Sequence, residues 1–288
     1  MRCGTCSGST DRDEVSVVQQ CGRRVVLAMT VVAACLAAAS CSSDGGEDTD
    51  AAAVTSIAAP AAADGTADAP STGDGSGATV ETFTVDGTDI DVVMIVPPGL
   101  EKGARVLFAL PPGGQDLELT TNIVEQIYED RALDRGWVVA SPAAPDGTLF
   151  FSGSEELVPG LLDQLADRFE PAGGKFALMG VSNGGLSSFR IARVAGVDRF
   201  SSLSAFPGYA SGGEDEAYVE ELSAIPVRLY VGGDDTGWLN PMTELEQQLK
   251  DLGGDVELTV FPGEGHIIEP LRDGQVLFDD LDSMTPAP

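Results

Sequence analysis

The most informative segment of the sequence is residues 175–194, which read Lys175-Phe-Ala-Leu-Met-Gly-Val-Ser182-Asn-Gly-Gly-Leu-Ser-Ser-Phe-Arg-Ile-Ala-Arg-Val194. Residues 175–179 form a short, mostly apolar run typical of a buried strand, and residues 186–194 have the apolar spacing of a helix. The Gly-x-Ser-x-Gly pattern around Ser182 predicts a sharp turn between them that exposes the serine hydroxyl. The start of the helix adds unpaired N–H groups and the positive end of the helix dipole beside that hydroxyl.

Similar apolar runs alternate with helical patterns through residues 78–288. The predicted strands are 80–85, 88–96, 105–110, 137–140, 175–179, 201–205, 227–231 and 256–261. The predicted helices are 117–133, 155–168, 186–194, 241–252 and 268–281. This alternation predicts an α/β fold, with a mostly parallel central sheet and helices on both faces. Because Asp86-Gly87 separates the first two runs, these are predicted to form an N-terminal antiparallel hairpin.

A serine hydroxyl becomes a strong nucleophile only when a base takes its proton, and histidine is the usual base. The chain has a single histidine, His266, in a loop that follows the last predicted strand. A carboxylate is needed to hold the imidazole in the right tautomer. Asp234 and Asp235 both follow the strand before it, and since their side chains point in different directions, only one of them should reach His266.

A tetrahedral intermediate also needs two N–H donors for its oxyanion. One candidate is the backbone of Asn183, the residue after the serine. The other comes from the turn Leu110-Pro-Pro-Gly113-Gly-Gln115, which follows the third predicted strand and is rich in small residues.

These motifs resemble those of the α/β-hydrolase family. Residues 180–185 and the loop Val260-Phe-Pro-Gly-Glu-Gly-His266 are similar to motifs of its polyhydroxybutyrate-depolymerase and feruloyl-esterase-like secreted members. The resemblance spans about residues 80–283. It implies an α/β-hydrolase fold and a triad of Ser182, Asp235 and His266, since the family's acid usually lies three residues after a strand-end glycine. Where the family has His-Gly, this chain has two prolines without N–H groups, which makes Gly113 the expected partner of Asn183 in the oxyanion hole.

The resemblance implies a serine esterase that forms an acyl-enzyme and needs no cofactor or metal. Two alternatives remain: a serine peptidase of the prolyl-oligopeptidase type and a non-catalytic surface lipoprotein on a hydrolase scaffold. Residues 206–209 (Phe-Pro-Gly-Tyr) and Trp238 are candidates to line the acyl site or to pack in the core or at its rim, and residues 212–222 are a candidate cap helix. No Lys or Arg occurs in the segments expected around the site, which predicts a neutral substrate, small or polymeric. These segments are 111–116, 180–185, 206–222, 232–242 and 263–269.

The charge of the chain restricts its partners. The net charge is −30, and residues 78–288 alone carry 36 acidic and 12 basic side chains. A surface this acidic repels nucleic-acid phosphates, so a DNA- or RNA-binding role is not expected. All five cysteines lie in the first 41 residues, which leaves the predicted catalytic domain, residues 78–288, without disulfides or cysteine-based zinc sites.

The N-terminus has the pattern of an export signal. Arg23-Arg24 precede the apolar run 25–39, which is shorter than the roughly 20 residues needed to span a bilayer. The run ends in Ala38-Ala-Ser-Cys41, which resembles a bacterial lipobox and predicts a signal peptide over residues 1–40 and lipidation of Cys41. Residues 41–77 have the composition of a disordered tether. The protein is therefore expected outside the cytoplasm on a lipid anchor. The alternatives are secretion, if an ordinary signal peptidase cleaves it, and attachment through an uncleaved signal segment.

Overall fold

The computed structural model describes residues 77–100, 102–211 and 216–285. The predicted signal peptide (1–40), the predicted lipidation site Cys41 and residues 42–76 of the predicted tether lie outside the described residues. None of the described helices is long and apolar enough to cross a membrane.

Eight strands form one sheet. The strands are β1 (Thr79–Val85), β2 (Thr88–Ile95), β3 (Arg105–Leu110), β4 (Trp137–Pro142), β5 (Phe176–Gly180), β6 (Phe200–Ala205), β7 (Val227–Gly232) and β8 (Val256–Phe261). Their order is β1-β2-β4-β3-β5-β6-β7-β8. The pairs β1–β2 and β2–β4 are antiparallel, and every other pair is parallel. The predicted hairpin and mostly parallel sheet are thus confirmed.

The helices cover both faces of the sheet. They are α1 (Leu117–Ile123), a π-helical segment (Val124–Tyr128), α2 (Glu129–Arg135), α3 (Val158–Phe169), α4 (Asn183–Ala195), α5 (Glu216–Leu222), α6 (Thr236–Asp251) and α7 (Gln275–Met284). Side chains of α3 to α6 share one core with Val106 and Phe108 of β3. Side chains of the π-helical segment, α2 and α7 share the other core with Leu107 and Ala109, because successive strand residues point to opposite faces.

Helix α6 begins earlier than its sequence predicted. The predicted helix begins at Pro241, and proline is favoured at a first helical position. The structure instead begins the helix at Thr236 and carries Pro241 inside it, with Asp235 as the preceding residue. The carbonyl of Asp235 accepts the N–H of Leu239 at 2.9 Å, which closes the first turn upstream of the proline. The earlier start places the helix N-terminus directly after the predicted catalytic acid.

Two other predicted helices are shorter than expected and are each preceded by a 3₁₀ turn. Residues 155–168 divide into a 3₁₀ turn at Ser154–Leu157 and α3, which has Pro159 in its first turn. Residues 268–281 divide into a 3₁₀ turn at Glu269–Leu271 and α7. Gly274 has a φ of 68° between these two elements, a left-handed conformation that a continuous helix does not contain.

The candidate cap segment, residues 212–222, does not form a cap in its described part. Helix α5 buries Tyr218, Val219 and Leu222 in the core shared with α3, α4 and α6. The hydroxyl of Tyr218 donates a hydrogen bond to the carbonyl oxygen of Phe189 in α4. The helix is therefore part of the layer that covers the sheet, because its apolar side chains are buried in that core.

Candidate active site

Ser182 lies at the tip of a strained turn between β5 and α4. Its backbone has φ 54° and ψ −116°, in a region that non-glycine residues rarely occupy. Such a conformation costs on the order of 1–3 kcal/mol and persists only where the surroundings enforce it. Here the chain passes too close to its neighbours for a side chain at Gly184, where a Cβ would lie 2.2 Å from the carbonyl oxygen of Leu110. The tight turn leaves the Ser182 hydroxyl at the carboxyl edge of the sheet.

The structure brings the three predicted catalytic residues into one hydrogen-bonded chain. His266 Nε2 lies 2.8 Å from Ser182 Oγ, and His266 Nδ1 lies 2.7 Å from Asp235 Oδ2. Of the two candidate acids, Asp235 reaches the imidazole, whereas Asp234 is exposed to solvent. The imidazole retains 37% of its exposure and the Asp235 side chain 15%, so the arrangement is open on the side of the histidine.

The acid and the histidine are held together by the backbones of their loops. Strands β7 and β8 are parallel neighbours, and their carboxyl ends therefore meet at the same edge of the sheet. The N–H of Gly233 donates to the carbonyl of Phe261 at 2.8 Å, and the N–H of Asp234 donates to the carbonyl of Glu264 at 2.9 Å. These two bonds fix the separation of the loops that carry Asp235 and His266.

An aromatic pair supports the histidine from the side. The ring of Trp238 lies 5.4 Å from the imidazole, centre to centre, at an interplanar angle of 44°. Tyr209 packs edge-on against Trp238, with 5.5 Å between ring centres. Tyr209 and Trp238 are both half-buried. The sequence left open whether they line the site or the core, and the structure places Trp238 against the imidazole.

The predicted oxyanion turn lies beside the start of α4. Gly113 has a φ of 57°, and its carbonyl accepts a hydrogen bond from Asn183 Nδ2 at 2.9 Å. Among the described residues, the N–H groups of Gly113 and Asn183 donate to no backbone carbonyl, which leaves them available to an oxyanion. Sequence reasoning missed the side chains behind this turn, buried Gln115 and Ser187, although a glutamine directly after Gly-Gly at a strand end was visible.

The first cation after Ser182 in the sequence and the first after His266 are already paired. Arg190 donates from Nε to Glu155 Oε1 at 2.9 Å, and the Glu155 side chain is only 5% exposed. Burial alone would raise the pKa of Glu155, but hydrogen bonds from its own N–H and that of Gly153, together with the Arg190 guanidinium, lower it below the ordinary value. Arg272 pairs with Glu269 at 2.9 Å. Within the described ranges, no group of three or more potential ligand side chains could hold a metal ion.

No protein-family model and no curated protein sequence matches the chain. Solved structures do match it, among them a thermostable esterase with a TM-score of 0.57 and 17% sequence identity. The match covers 73% of this chain and 63% of that esterase. This chain has the α/β-hydrolase fold.

Two further α/β-hydrolase-fold neighbours match over nearly their whole length. A cold-adapted esterase from an Arctic intertidal metagenomic library has a TM-score of 0.55 and 18% identity, with 72% of this chain and 93% of that chain covered. An S-formylglutathione hydrolase from Agrobacterium tumefaciens has a TM-score of 0.54 and 17% identity, with 73% and 95% covered. At these identities the likeness shows the fold, so any activity of this chain must be argued from its own site.

Proposed function

We propose that this protein is a serine hydrolase that cleaves a neutral carboxylic ester through a serine-bound acyl intermediate. The observation that carries the proposal is the chain of two short contacts from Ser182 through His266 to Asp235. A serine, an imidazole and a carboxylate at these distances can act as nucleophile, base and orienting acid. The strained backbone at Ser182 supports the same reading, because strain of this kind clusters at functional sites.

The reaction begins when His266 Nε2 takes the proton of Ser182 Oγ as the oxygen attacks the ester carbonyl carbon. Asp235 accepts the Nδ1–H of the imidazole and stabilises the imidazolium that forms. The N–H groups of Gly113 and Asn183 receive the negative oxygen of the tetrahedral intermediate. His266 then returns its proton to the leaving alcohol, and water repeats the sequence on the acyl-enzyme to release the acid.

The proposed substrate is neutral near the scissile bond. An anionic group bound in a cleft needs a positive partner, and the five segments around the site contain no Lys or Arg. Arg190, the first cation after Ser182, and Arg272, the first after His266, are engaged with Glu155 and Glu269. The test is a pair of isosteric esters, one neutral and one with a carboxylate near the acyl carbon. The neutral ester should have the higher kcat/KM, and high salt should narrow the difference. A preference for the anionic ester would contradict this part of the proposal.

The decisive experiment labels the protein with a fluorophosphonate and locates the adduct by peptide mass spectrometry. We expect the label on Ser182, hydrolysis of p-nitrophenyl esters by the wild type, and loss of both in Ser182→Ala. A label on another serine, or full esterase activity in Ser182→Ala, would refute the assignment. Hydrolysis of aminoacyl amides in preference to esters would favour the peptidase alternative, and absence of any activity would favour the non-catalytic one.

We also propose that the enzyme works outside the cytoplasm on a lipid anchor at Cys41. The support is the sequence pattern alone: Arg23-Arg24, the apolar run 25–39 and the lipobox-like Ala38–Cys41. The alternative is secretion after ordinary signal cleavage.

A further inference from the structure

The two proposed oxyanion donors belong to segments that are 70 residues apart in sequence. Backbone continuity therefore cannot set the distance between the N–H groups of Gly113 and Asn183. Oxyanion stabilisation depends on donors that are fixed before the reaction at about 2.7–3.1 Å from the oxygen. Other contacts in the fold must therefore fix the positions of these two N–H groups.

A closed ring of hydrogen bonds joins the two segments behind the site. Asn183 Nδ2 donates to the carbonyl of Gly113 at 2.9 Å, and the hydroxyl of Ser187 donates to the carbonyl of Asn183 at 2.9 Å. Gln115 Nε2 donates to Ser187 Oγ at 2.9 Å. Gly114 then links Gln115 back to Gly113 through the main chain. Every bond in the ring has a consistent donor and acceptor, since Ser187 Oγ accepts from Gln115 while it gives its own proton to Asn183.

Gln115 is the member that ties this ring to the rest of the fold. It is fully buried, and its side chain also donates to the carbonyl of Pro111 at 3.1 Å and accepts the N–H of Phe150 at 2.9 Å. Its own carbonyl accepts the N–H of Ala144 at 2.7 Å. Its φ of 55° is unfavourable for a residue with a long side chain, and the surrounding bonds hold it there.

We infer that Gln115 and Ser187 are positioning residues for the oxyanion hole. This inference rests on the proposed function. Neither side chain needs to touch the substrate. Gln115 holds the turn that carries Gly113 against α4 through its hydrogen bond to Ser187. Ser187 in turn is bonded to the carbonyl of Asn183, the second oxyanion donor. Weakening the ring should let the two donors drift apart, and this should cost transition-state binding more than substrate binding.

Ser187→Ala tests the ring with little change in shape, and Ser188→Ala is the matched control. Ser188 is also fully buried, is next to Ser187 in α4, and donates to a backbone carbonyl of the same helix, that of Gly185, at 2.8 Å. With a neutral p-nitrophenyl ester, we expect Ser187→Ala to lower kcat about 10-fold and Gln115→Met about 100-fold, with KM within about 2-fold of the wild type. Ser188→Ala should keep kcat within about 2-fold of the wild type, although it should lose about as much thermal stability as Ser187→Ala.

Binding of a boronic acid that forms a tetrahedral adduct with Ser182 distinguishes a role in the oxyanion hole from a purely structural role. Its affinity should fall by the same factor as kcat/KM across the variants, because the adduct mimics the transition state. If the wild type is active but Ser187→Ala and Gln115→Met match Ser188→Ala in kcat and in boronate affinity, the inference is wrong and the proposed function stands. If the wild type neither hydrolyses the ester nor binds the boronic acid, the proposed function is wrong and the inference falls with it.

Discussion

Replacing Asp235 by asparagine removes one charge from the site and keeps the size of the side chain. The carboxylate oxygen lies 2.7 Å from His266 Nδ1, so the two charges of the ion pair formed during the reaction are centred roughly 4 Å apart. At an effective dielectric constant of about 20, such a pair attracts by about 4 kcal/mol, which corresponds to about three orders of magnitude in rate.

Two further effects change this expected loss of rate, in opposite directions. The imidazole is 37% exposed, and solvent screening therefore reduces the attraction. An asparagine amide that donates to Nδ1 would hold the wrong tautomer, with the proton on Nε2, and the imidazole could then not accept the serine proton. Since these effects offset each other, we expect kcat of Asp235→Asn to fall by about 10³-fold.

Asp234→Asn is the matched control, because it removes the same charge from the adjacent position of the same loop. Its side chain is exposed, so we expect kcat within about 3-fold of the wild type. Both variants are compared with the wild type by initial rates on p-nitrophenyl acetate at saturating substrate, with thermal unfolding as a check on folding. The reverse ranking, or equal losses in the two variants, would refute the role given to Asp235.

Three other outcomes are expected. Trp238→Ala should lower kcat about 10-fold by freeing the imidazole that the indole packs against, whereas Trp238→Phe should recover most of it; equal rates in both variants and the wild type would show that the contact is incidental. Glu155→Gln should lower the free energy of unfolding by about 1–3 kcal/mol at neutral pH, measured by urea denaturation, because it loses the charge-assisted bonds from Arg190 and Gly153. Since folding lowers the pKa of Glu155, its contribution is complete above the unfolded pKa and disappears as the pH falls through the folded pKa, so the two proteins should converge in acid. Cys41→Ser should move the protein out of the membrane fraction or leave an unprocessed precursor, and a wild type found entirely in the medium would contradict the proposed lipid anchor.

The order of strands and helices could be predicted from local patterns because apolar periodicity reports which face of each element is buried. Ser182, His266 and the glycine turn before Gln115 also stood out by sequence alone, since each follows a short apolar run. Helix boundaries were less predictable. Pro241 looked like a helix start, and only the packing around Asp235 and Trp238 showed that the helix begins five residues earlier.

The residues alone left Asp234 and Asp235 as alternatives, and only the family resemblance favoured Asp235, which the tertiary structure places 2.7 Å from His266. Both carboxylates follow the same strand, and which of them faces His266 depends on how the β7 loop is hydrogen-bonded to the β8 loop, 30 residues further along the chain. The same holds for Trp238, whose ring meets the imidazole only because α6 starts directly after the acid.

The hydrogen-bonded ring through Gln115, Ser187, Asn183 and Gly113 could not be predicted from the sequence. The sequence indicates Gly113 and Asn183 as oxyanion donors, whereas Gln115 is only a glutamine after a turn and Ser187 only a serine inside a helix. Their hydrogen bonds join the turn after β3 to α4. The two segments meet because β3 and β5 are parallel neighbours whose carboxyl ends lie side by side. Local sequence determines which residues can form strands, turns and hydrogen bonds, whereas the pairing of distant strands determines which of those residues meet.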